Sequence, residues 1–227
     1  AHFITQALVY AARASKQLDD TAKTIYYYNE LLTNSNDENI LNEARKELLD
    51  IYIAQQNWER AAEIATQIIN ADTDNPLMLA KTHLTVAKNN LINLNDTAQA
   101  LQSLQVAATF KNQYGAEAQY MIAEIYYHQH QYDLTETTVY NLVKNFPGYD
   151  YWIAKGFILL SDNFLAKEDI FQAKVTLENL LKNYHGDQAL IAVAQQKLDY
   201  LKELENQDTN QKQEDIEIDL SEPQTKP

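Results

Sequence analysis

The chain has 227 residues, of which 45% are hydrophobic, and its 32 acidic and 18 basic side chains give a formal net charge of −14. Such an acidic surface repels phosphate backbones, so the composition argues against a nucleic-acid-binding protein. The absence of cysteine excludes disulfides and thiolate catalysis, and no apolar run reaches the roughly 20 residues that span a bilayer. With only four glycines and four prolines, the chain is predicted to be almost entirely helical.

Small residues recur at intervals of 37, 39, 35 and 38 residues, each in the second helix of a predicted helical hairpin. They are Thr24, Ala61, Ala100, Thr135 and Ala173. Self-similarity at this period is typical of an α-solenoid. In chain order the predicted hairpins span residues 3–33, 38–71, 76–110, 113–146 and 150–184. The predicted fold class is therefore all-α, a right-handed α-α superhelix of five hairpins.

The first three hairpins are indicated by apolar residues at three- and four-residue spacing, which is the pattern of an amphipathic helix. The first hairpin has the weakest pattern, and helix-like sequence begins within its first few residues. We interpret this start as the sign of a C-terminal piece of a longer repeat protein. The residues of the three patterns are Ala11, Ala12, Thr24, Tyr28 and Leu31, then Leu48, Leu49, Tyr52, Ala61, Ala65 and Ile68, and then Ala87, Leu91, Ala100, Leu104 and Ala107.

The fourth hairpin has the clearest pattern, and the fifth repeats it. The fourth hairpin ends at Pro147, because proline cannot continue a helix. A capping helix over residues 186–206 follows the fifth hairpin, and residues 207–227 are predicted to be a disordered acidic tail. In that tail Ile216, Ile218 and Leu220 alternate with acids, so a short extended recognition motif is an alternative to a solubilising tail.

The repeat resembles the tetratricopeptide repeat (TPR) family. The residues that carry the resemblance fall at the family's apolar, small, aromatic and proline positions in the fourth hairpin, and they are Ile122, Ala123, Tyr126, Thr135, Val139, Leu142 and Pro147. The last two hairpins are most similar to bacterial envelope-associated TPR proteins. That similarity implies a location in the bacterial periplasm or cell envelope.

Motifs for catalysis or metal binding are not found in the sequence. Glu124 and His128 share a predicted helix face and His130 follows in the turn, but no further ligand stands at metal-site spacing. None of the four glycines forms a phosphate-binding loop. We therefore predict a protein that is not an enzyme and has no cofactor, with no catalytic or metal site.

The resemblance implies that ligands contact the first helix of each hairpin, in a concave groove. The candidate groove residues change from basic through neutral to acidic and aromatic along the chain, with Tyr120 and Tyr127 as anchors for a ligand. They are Arg13, Lys16, Lys46, Asp50, Asn89, Asn93, Tyr120, Glu124, Tyr127, His128 and Asp162, with Lys155 also at a ligand-facing position.

The sequence predicts a protein-protein interaction scaffold that binds a peptide or a partner helix in this groove. The alternative is a purely structural spacer within a larger multi-repeat envelope protein whose ligand site lies upstream. The expected partner is a protein or peptide, with no nucleic acid and no direct membrane insertion. End-to-end self-association through the N-terminal hairpin is also expected.

Overall fold

The computed structural model describes residues 2–71 and 73–221, with side chains over residues 3–71 and 73–206. Within this part of the chain the regular structure consists of eleven α-helices. They are α1 (His2–Gln17), α2 (Thr21–Asn34), α3 (Glu38–Ala54), α4 (Trp58–Asn70), α5 (Pro76–Ile92), α6 (Thr97–Ala107), α7 (Gln113–His128), α8 (Tyr132–Asn145), α9 (Asp150–Ala166), α10 (Ile170–Asn183) and α11 (Gln188–Ser221). None of the helices described is long and apolar enough to cross a membrane.

The turn inside each hairpin has the same geometry. One non-glycine residue per turn adopts a left-handed conformation with φ between 52° and 62°, and these residues are Asp19, Gln56, Asn95, His130 and Glu168. The next residue is the N-cap of the second helix. In four of the five turns its side chain accepts a hydrogen bond from a backbone N–H of the first helical turn, as Asp20 does from Lys23 at 3.1 Å. Such caps stabilise a helix because its first N–H groups have no partner within the helix.

The chain divides into two compact units, residues 1–118 and 119–227, and the boundary falls within α7. In unit 1, α1 to α6 pack in sequence, each helix against the next. Its core combines fully buried alanines at the helix crossings, such as Ala44 and Ala61, with bulkier residues such as Tyr28 and Leu48. Small residues at a crossing let two helices approach closely, and the larger ones fill the space to the following hairpin.

In unit 2, α8, α9, α10 and α11 pack in the same order, and α11 also contacts α9. The crossing of α8 and α9 is close at Gly156. A Cβ atom there would lie 3.1 Å from Leu142 Cδ2 and 3.3 Å from Val139 Cγ1. Thr135 and Ala173, the small residues of the repeat pattern in this unit, are fully buried.

The last helix differs from the prediction at its C-terminal end. The sequence predicted a capping helix that ends at residue 206 and a disordered tail from 207, whereas α11 continues to Ser221. No glycine or proline interrupts residues 187–222, so no residue in this stretch breaks the helix before Pro223. The side chains of Ile216, Ile218 and Leu220, and all of residues 222–227, lie outside the described residues.

Candidate functional site

Five of the predicted groove residues line a single pocket in unit 2. Its volume is about 260 Å³, and α7, α9 and α11 form its walls. We call it the tyrosine pocket, and its lining residues are Tyr120, Glu124, Tyr127, His128, Lys155, Ile158, Leu159, Asp162, Leu190 and Val193. Spacings of three, four and seven residues place these side chains on one face of each helix. The pocket therefore has an apolar part from α9 and α11, a polar and aromatic part from α7, and two charged residues, Lys155 and Asp162, from α9.

Tyr120 forms a buried wall of the tyrosine pocket. Its side chain is only 7% exposed, and its hydroxyl donates a hydrogen bond to Glu124 Oε1 at 2.9 Å. Its ring centroid lies 5.6 Å from that of Trp152, and Lys155 Nζ lies 4.3 Å from the Tyr120 centroid and 5.2 Å from the Trp152 centroid. Burial, followed by the negative charge of Glu124, raises the pKa of Tyr120. Tyr120 thus stays neutral and contributes to the wall rather than projecting as an anchor.

Tyr127 and His128 are the more accessible aromatic residues of the pocket. Tyr127 is half-buried, and its ring centroid lies 5.6 Å from that of the exposed His128. Burial raises the pKa of Tyr127, and the negative charge of Asp162 adds to the effect. Of the two predicted anchors, Tyr127 is the more exposed.

Two carboxylates of the tyrosine pocket are held by partners within unit 2. Asp162 Oδ1 accepts a hydrogen bond from Lys197 Nζ of α11 at 2.6 Å, and Glu124 is held by Tyr120. These bonds use one oxygen of each carboxylate. Both carboxyl groups line the pocket together with its apolar residues. Polar groups placed in this way orient a ligand in a mostly apolar pocket.

Three of the four charged candidates of unit 1 form ion pairs between first helices of successive hairpins. Arg13 donates to Glu43 through Nε at 2.9 Å and through Nη2 at 2.6 Å, and Lys16 pairs with Glu47 at 2.6 Å. Asp50 pairs with Lys81 in the same way. The hydrogen bond from Arg13 holds the pKa of Glu43 below its usual range. The charges of the basic candidates Arg13 and Lys16 are therefore neutralised within unit 1.

The remaining candidates of unit 1 lie apart from these pairs. Lys46 lines a separate depression of about 250 Å³ with Asn42, Ile68 and Met78. Asn93 donates a hydrogen bond from Nδ2 to Asn89 Oδ1 at 2.8 Å near the C-terminal end of α5. The structure does not gather Lys46, Asn89 and Asn93 into one site.

Several residues that shape the pockets of unit 2 were not predicted from the sequence. Trp152 and Lys197 position Lys155 and Asp162 in the tyrosine pocket. Trp152 precedes Lys155 by three residues on α9. This spacing places both side chains on one face of the helix, so Trp152 could have been predicted from the sequence. A second pocket of about 360 Å³ lies among α8, α9 and α10, and its lining includes Tyr140, Ile153, Phe157, Phe164 and Val175. Among the described residues, no three His, Cys, Asp or Glu side chains lie together as a metal ion would require.

No known family model matches the chain, and no curated protein matches its sequence. A solved structure with a similar fold is that of YrrB, described as a TPR protein with an unusual peptide-binding site. The TM-score is 0.57, the sequence identity is 16%, and the match covers 82% of this chain and 88% of that chain. The protein therefore has a TPR-like fold, an all-α solenoid of helical hairpins, as its repeat pattern predicted. The predictions of a longer parent chain and of an envelope location stay predictions.

Proposed function

We propose that this protein is a non-enzymatic interaction scaffold and that the tyrosine pocket binds a segment of a partner protein. The observation that carries the proposal is the convergence of α7, α9 and α11 on one pocket that combines an accessible aromatic ring, apolar residues and carboxylate oxygens. A rigid tyrosine offers large contact area at low entropic cost, which is why tyrosine is enriched among residues that dominate interfaces. The peptide-binding site of YrrB, a protein of similar fold, supports the same kind of partner.

The tyrosine pocket is a better candidate than the pocket among α8, α9 and α10. Both lie in unit 2 and combine apolar with polar residues, but in the tyrosine pocket hydrogen bonds from Tyr120 and Lys197 hold the carboxylates of Glu124 and Asp162 in place. Specific pockets join a mostly apolar lining to a few fixed polar groups. The occupant we expect is an extended peptide or one face of a helix that inserts an apolar side chain next to a hydrogen-bond donor.

The test is a displayed peptide library selected on the full chain, followed by titration of the enriched peptides against single variants. Tyr127→Ala removes the accessible ring, and Val193→Glu places a charge on the apolar side of the pocket. We expect each to weaken binding about tenfold or more, as is typical of a central interface residue. Tyr120→Ala is unsuitable, because removal of a buried ring opens a cavity and destabilises the protein.

Two tyrosines outside the tyrosine pocket serve as matched controls. Tyr200 lies on α11 and is 53% exposed, and Tyr140 lines the pocket among α8, α9 and α10. Tyr200→Ala and Tyr140→Ala should bind the peptides as wild type does. If Tyr140→Ala alone lost binding, the proposed site would be wrong. If no peptide were enriched, a spacer would be the better description of this protein.

A further inference from the structure

The pocket among α8, α9 and α10 is a second candidate site, and we call it the phenylalanine pocket after Phe157 and Phe164 in its lining. None of the described residues lines both this pocket and the tyrosine pocket. At 100° per residue, Phe157 and Phe164 fall on the opposite face of α9 from Lys155 and Asp162. The volume of about 360 Å³ is within the range of about 300 to 1,000 Å³ that is typical of small-molecule sites.

The inner part of the phenylalanine pocket is apolar. Leu160, Phe164 and Leu180 line it and are 2%, 9% and 7% exposed. Ile153 and Phe157 also line it and are only half-buried, so part of each side chain is still in contact with solvent. A molecule that covers these side chains removes their remaining apolar surface from water, which favours binding.

The fourth hairpin does not have this apolar surface at the corresponding positions. The repeat offset of 38 residues between the fourth and fifth hairpins maps Ile153 and Phe157 onto Gly115 and Gln119. Gln119 is polar, and its Nε2 donates a hydrogen bond to the backbone oxygen of Thr138 at 3.3 Å. The repeat therefore does not require two large apolar side chains at these positions, and a bound apolar ligand would give them a role.

One end of the phenylalanine pocket has a fixed polar wall. Helices α9 and α10 are antiparallel neighbours across the turn at Glu168, so Asp150 at the start of α9 lies at the same end as Tyr184, which follows α10. The hydroxyl of Tyr184 accepts a hydrogen bond from the backbone N–H of Asp187 at 2.9 Å. A Cβ atom at Gly186 would lie 2.6 Å from that hydroxyl, so the absence of a side chain there allows the position of the ring.

The charge of the phenylalanine pocket comes from one carboxylate. Asp150 is the only charged residue among the described residues that line it, and within the described part of the chain Asp150 forms no ion pair. A ligand with a negative charge would be repelled by Asp150, whereas a ligand with a positive charge would gain an ion pair. The pocket therefore combines an apolar interior with a preference for a cation at one end.

We propose that the phenylalanine pocket binds a small apolar molecule that has an amino group, with the apolar body against Phe157 and Phe164 and the ammonium group beside Asp150. This site is additional to the peptide site proposed for the tyrosine pocket, on the opposite face of α9. Most of the affinity comes from the apolar body, because Asp150 is exposed and an exposed ion pair contributes little.

The test uses two fluorescent probes that differ in charge. Dansylcadaverine joins an apolar naphthalene ring to a primary amine, and dansylated aminohexanoic acid has the same ring with a carboxylate in place of the amine. Titrated against the full chain, the amine should bind saturably and about threefold to tenfold more tightly than the acid. Absence of saturable binding of the amine would overturn the proposal, and so would equal affinity for the two probes.

Single variants locate the bound probe. Val175 lines the phenylalanine pocket, so Val175→Phe should fill part of it and weaken binding of the amine about tenfold or more. Asp150→Asn should remove the preference for the amine over the acid. Glu178→Gln is the matched control, because Glu178 is exposed on α10 and is not in the lining of the pocket. It should bind both probes as wild type does.

Two further results would overturn the proposal. Circular dichroism and urea denaturation check the fold of each variant, and the exposed Asp150 provides a test even if Val175→Phe does not fold. If Tyr127→Ala lost the amine while Val175→Phe and Asp150→Asn kept it, the probe would bind in the tyrosine pocket. If the amine did not bind but Tyr140→Ala abolished binding of a selected peptide, the phenylalanine pocket would hold a side chain of a partner protein instead.

Discussion

In both units, the first helix of each hairpin carries polar residues at corresponding repeat positions, but these residues make different contacts in the two units. In unit 1, Arg13 and Lys16 are engaged by carboxylates of the next first helix. In unit 2, Tyr127, Lys155 and Asp162 line a pocket. The difference comes from what the neighbouring helices present: opposite charge in unit 1, and in unit 2 aromatic and apolar side chains in addition to Lys197, which pairs with Asp162. A repeat position therefore defines where a side chain lies, and its neighbours define what it can bind.

We expect the largest difference between the two units from a substitution at Gly156, where α9 crosses α8 closely. Gly156→Leu would push α9 away from Leu142 and Val139 of α8, because even a Cβ atom would be only 3.1 Å and 3.3 Å from them. We expect the free energy of unfolding to fall by about 3 kcal/mol, measured by urea denaturation. Peptide binding should also be lost, since Lys155 and Asp162 lie on α9. Gly156→Ala should lower the free energy of unfolding far less. A leucine variant as stable as wild type would contradict the close crossing of α8 and α9.

The next effect is expected from a buried amide in α9. Asn163 is fully buried, and neither of its side-chain polar atoms has a hydrogen-bond partner among the described residues. At the corresponding repeat position of α7 the chain has Ile125. Asn163→Leu should raise the free energy of unfolding by about 1 to 2 kcal/mol, because it removes an unpaired polar group. Denaturation by urea measures this change, and a destabilised variant would mean that the amide has a role in packing.

Alkaline pH should affect unit 2 through Tyr120. The pKa of Tyr120 is higher in the folded protein than its ordinary value of about 10, so the neutral form is favoured on folding. Its contribution to stability is fully present below pH 10 and is lost as the pH rises above that value. Tyr28 of unit 1 also has a raised pKa, of about 12, so the measurement is the difference between wild type and Tyr120→Phe. Above pH 10 the stability of Tyr120→Phe should fall less steeply than that of wild type. Parallel curves of stability against pH for the two proteins would contradict the prediction.

Acidic pH should instead affect the ion pairs of unit 1. In the folded protein the hydrogen bond from Arg13 lowers the pKa of Glu43. The contribution of Glu43 to stability is therefore present above the ordinary glutamate pKa of about 4.3 and is lost as the pH falls below it. The pair is partly exposed, so its contribution is below about 1 kcal/mol. Arg13→Ala should flatten the acid limb of the stability profile, whereas Arg60→Ala, which removes a pair within one helix, should not. Peptide binding should be unchanged in both variants.

The smallest effect concerns a feature that the two units share. Gln56 in unit 1 and Glu168 in unit 2 hold the left-handed turn conformation with φ of 55° and 62°. Glycine adopts this conformation without steric strain, so Gln56→Gly and Glu168→Gly should each raise the free energy of unfolding by about 0.5 kcal/mol. Gln55→Gly, at a residue with φ of −80°, should destabilise. Thermal unfolding of the three variants would reveal whether the turns are equivalent in the two units.

Much of the fold could be predicted because its signals are local. Apolar residues at helical spacing, such as Ile122 and Tyr126, and a breaker such as Pro147 act over one or two helical turns, so they can be recognised in the sequence. The candidate site was predicted less fully. Tyr127 and Asp162 line one pocket, but the burial of Tyr120 and the pairing of Arg13 with Glu43 depend on contacts between different helices.

By itself, the sequence determined the repeat, the helical hairpins and the all-α class, because periodicity and helix breakers are properties of neighbouring residues. The tertiary structure decided which charges are neutralised, which tyrosine is accessible, and how closely α9 crosses α8 at Gly156. Those outcomes depend on the register between helices whose paired residues are 30 to 35 positions apart, as Arg13 and Glu43 or Asp162 and Lys197 are. A shift of one residue along a helix turns a side chain by about 100°, so only the packed structure could determine these contacts.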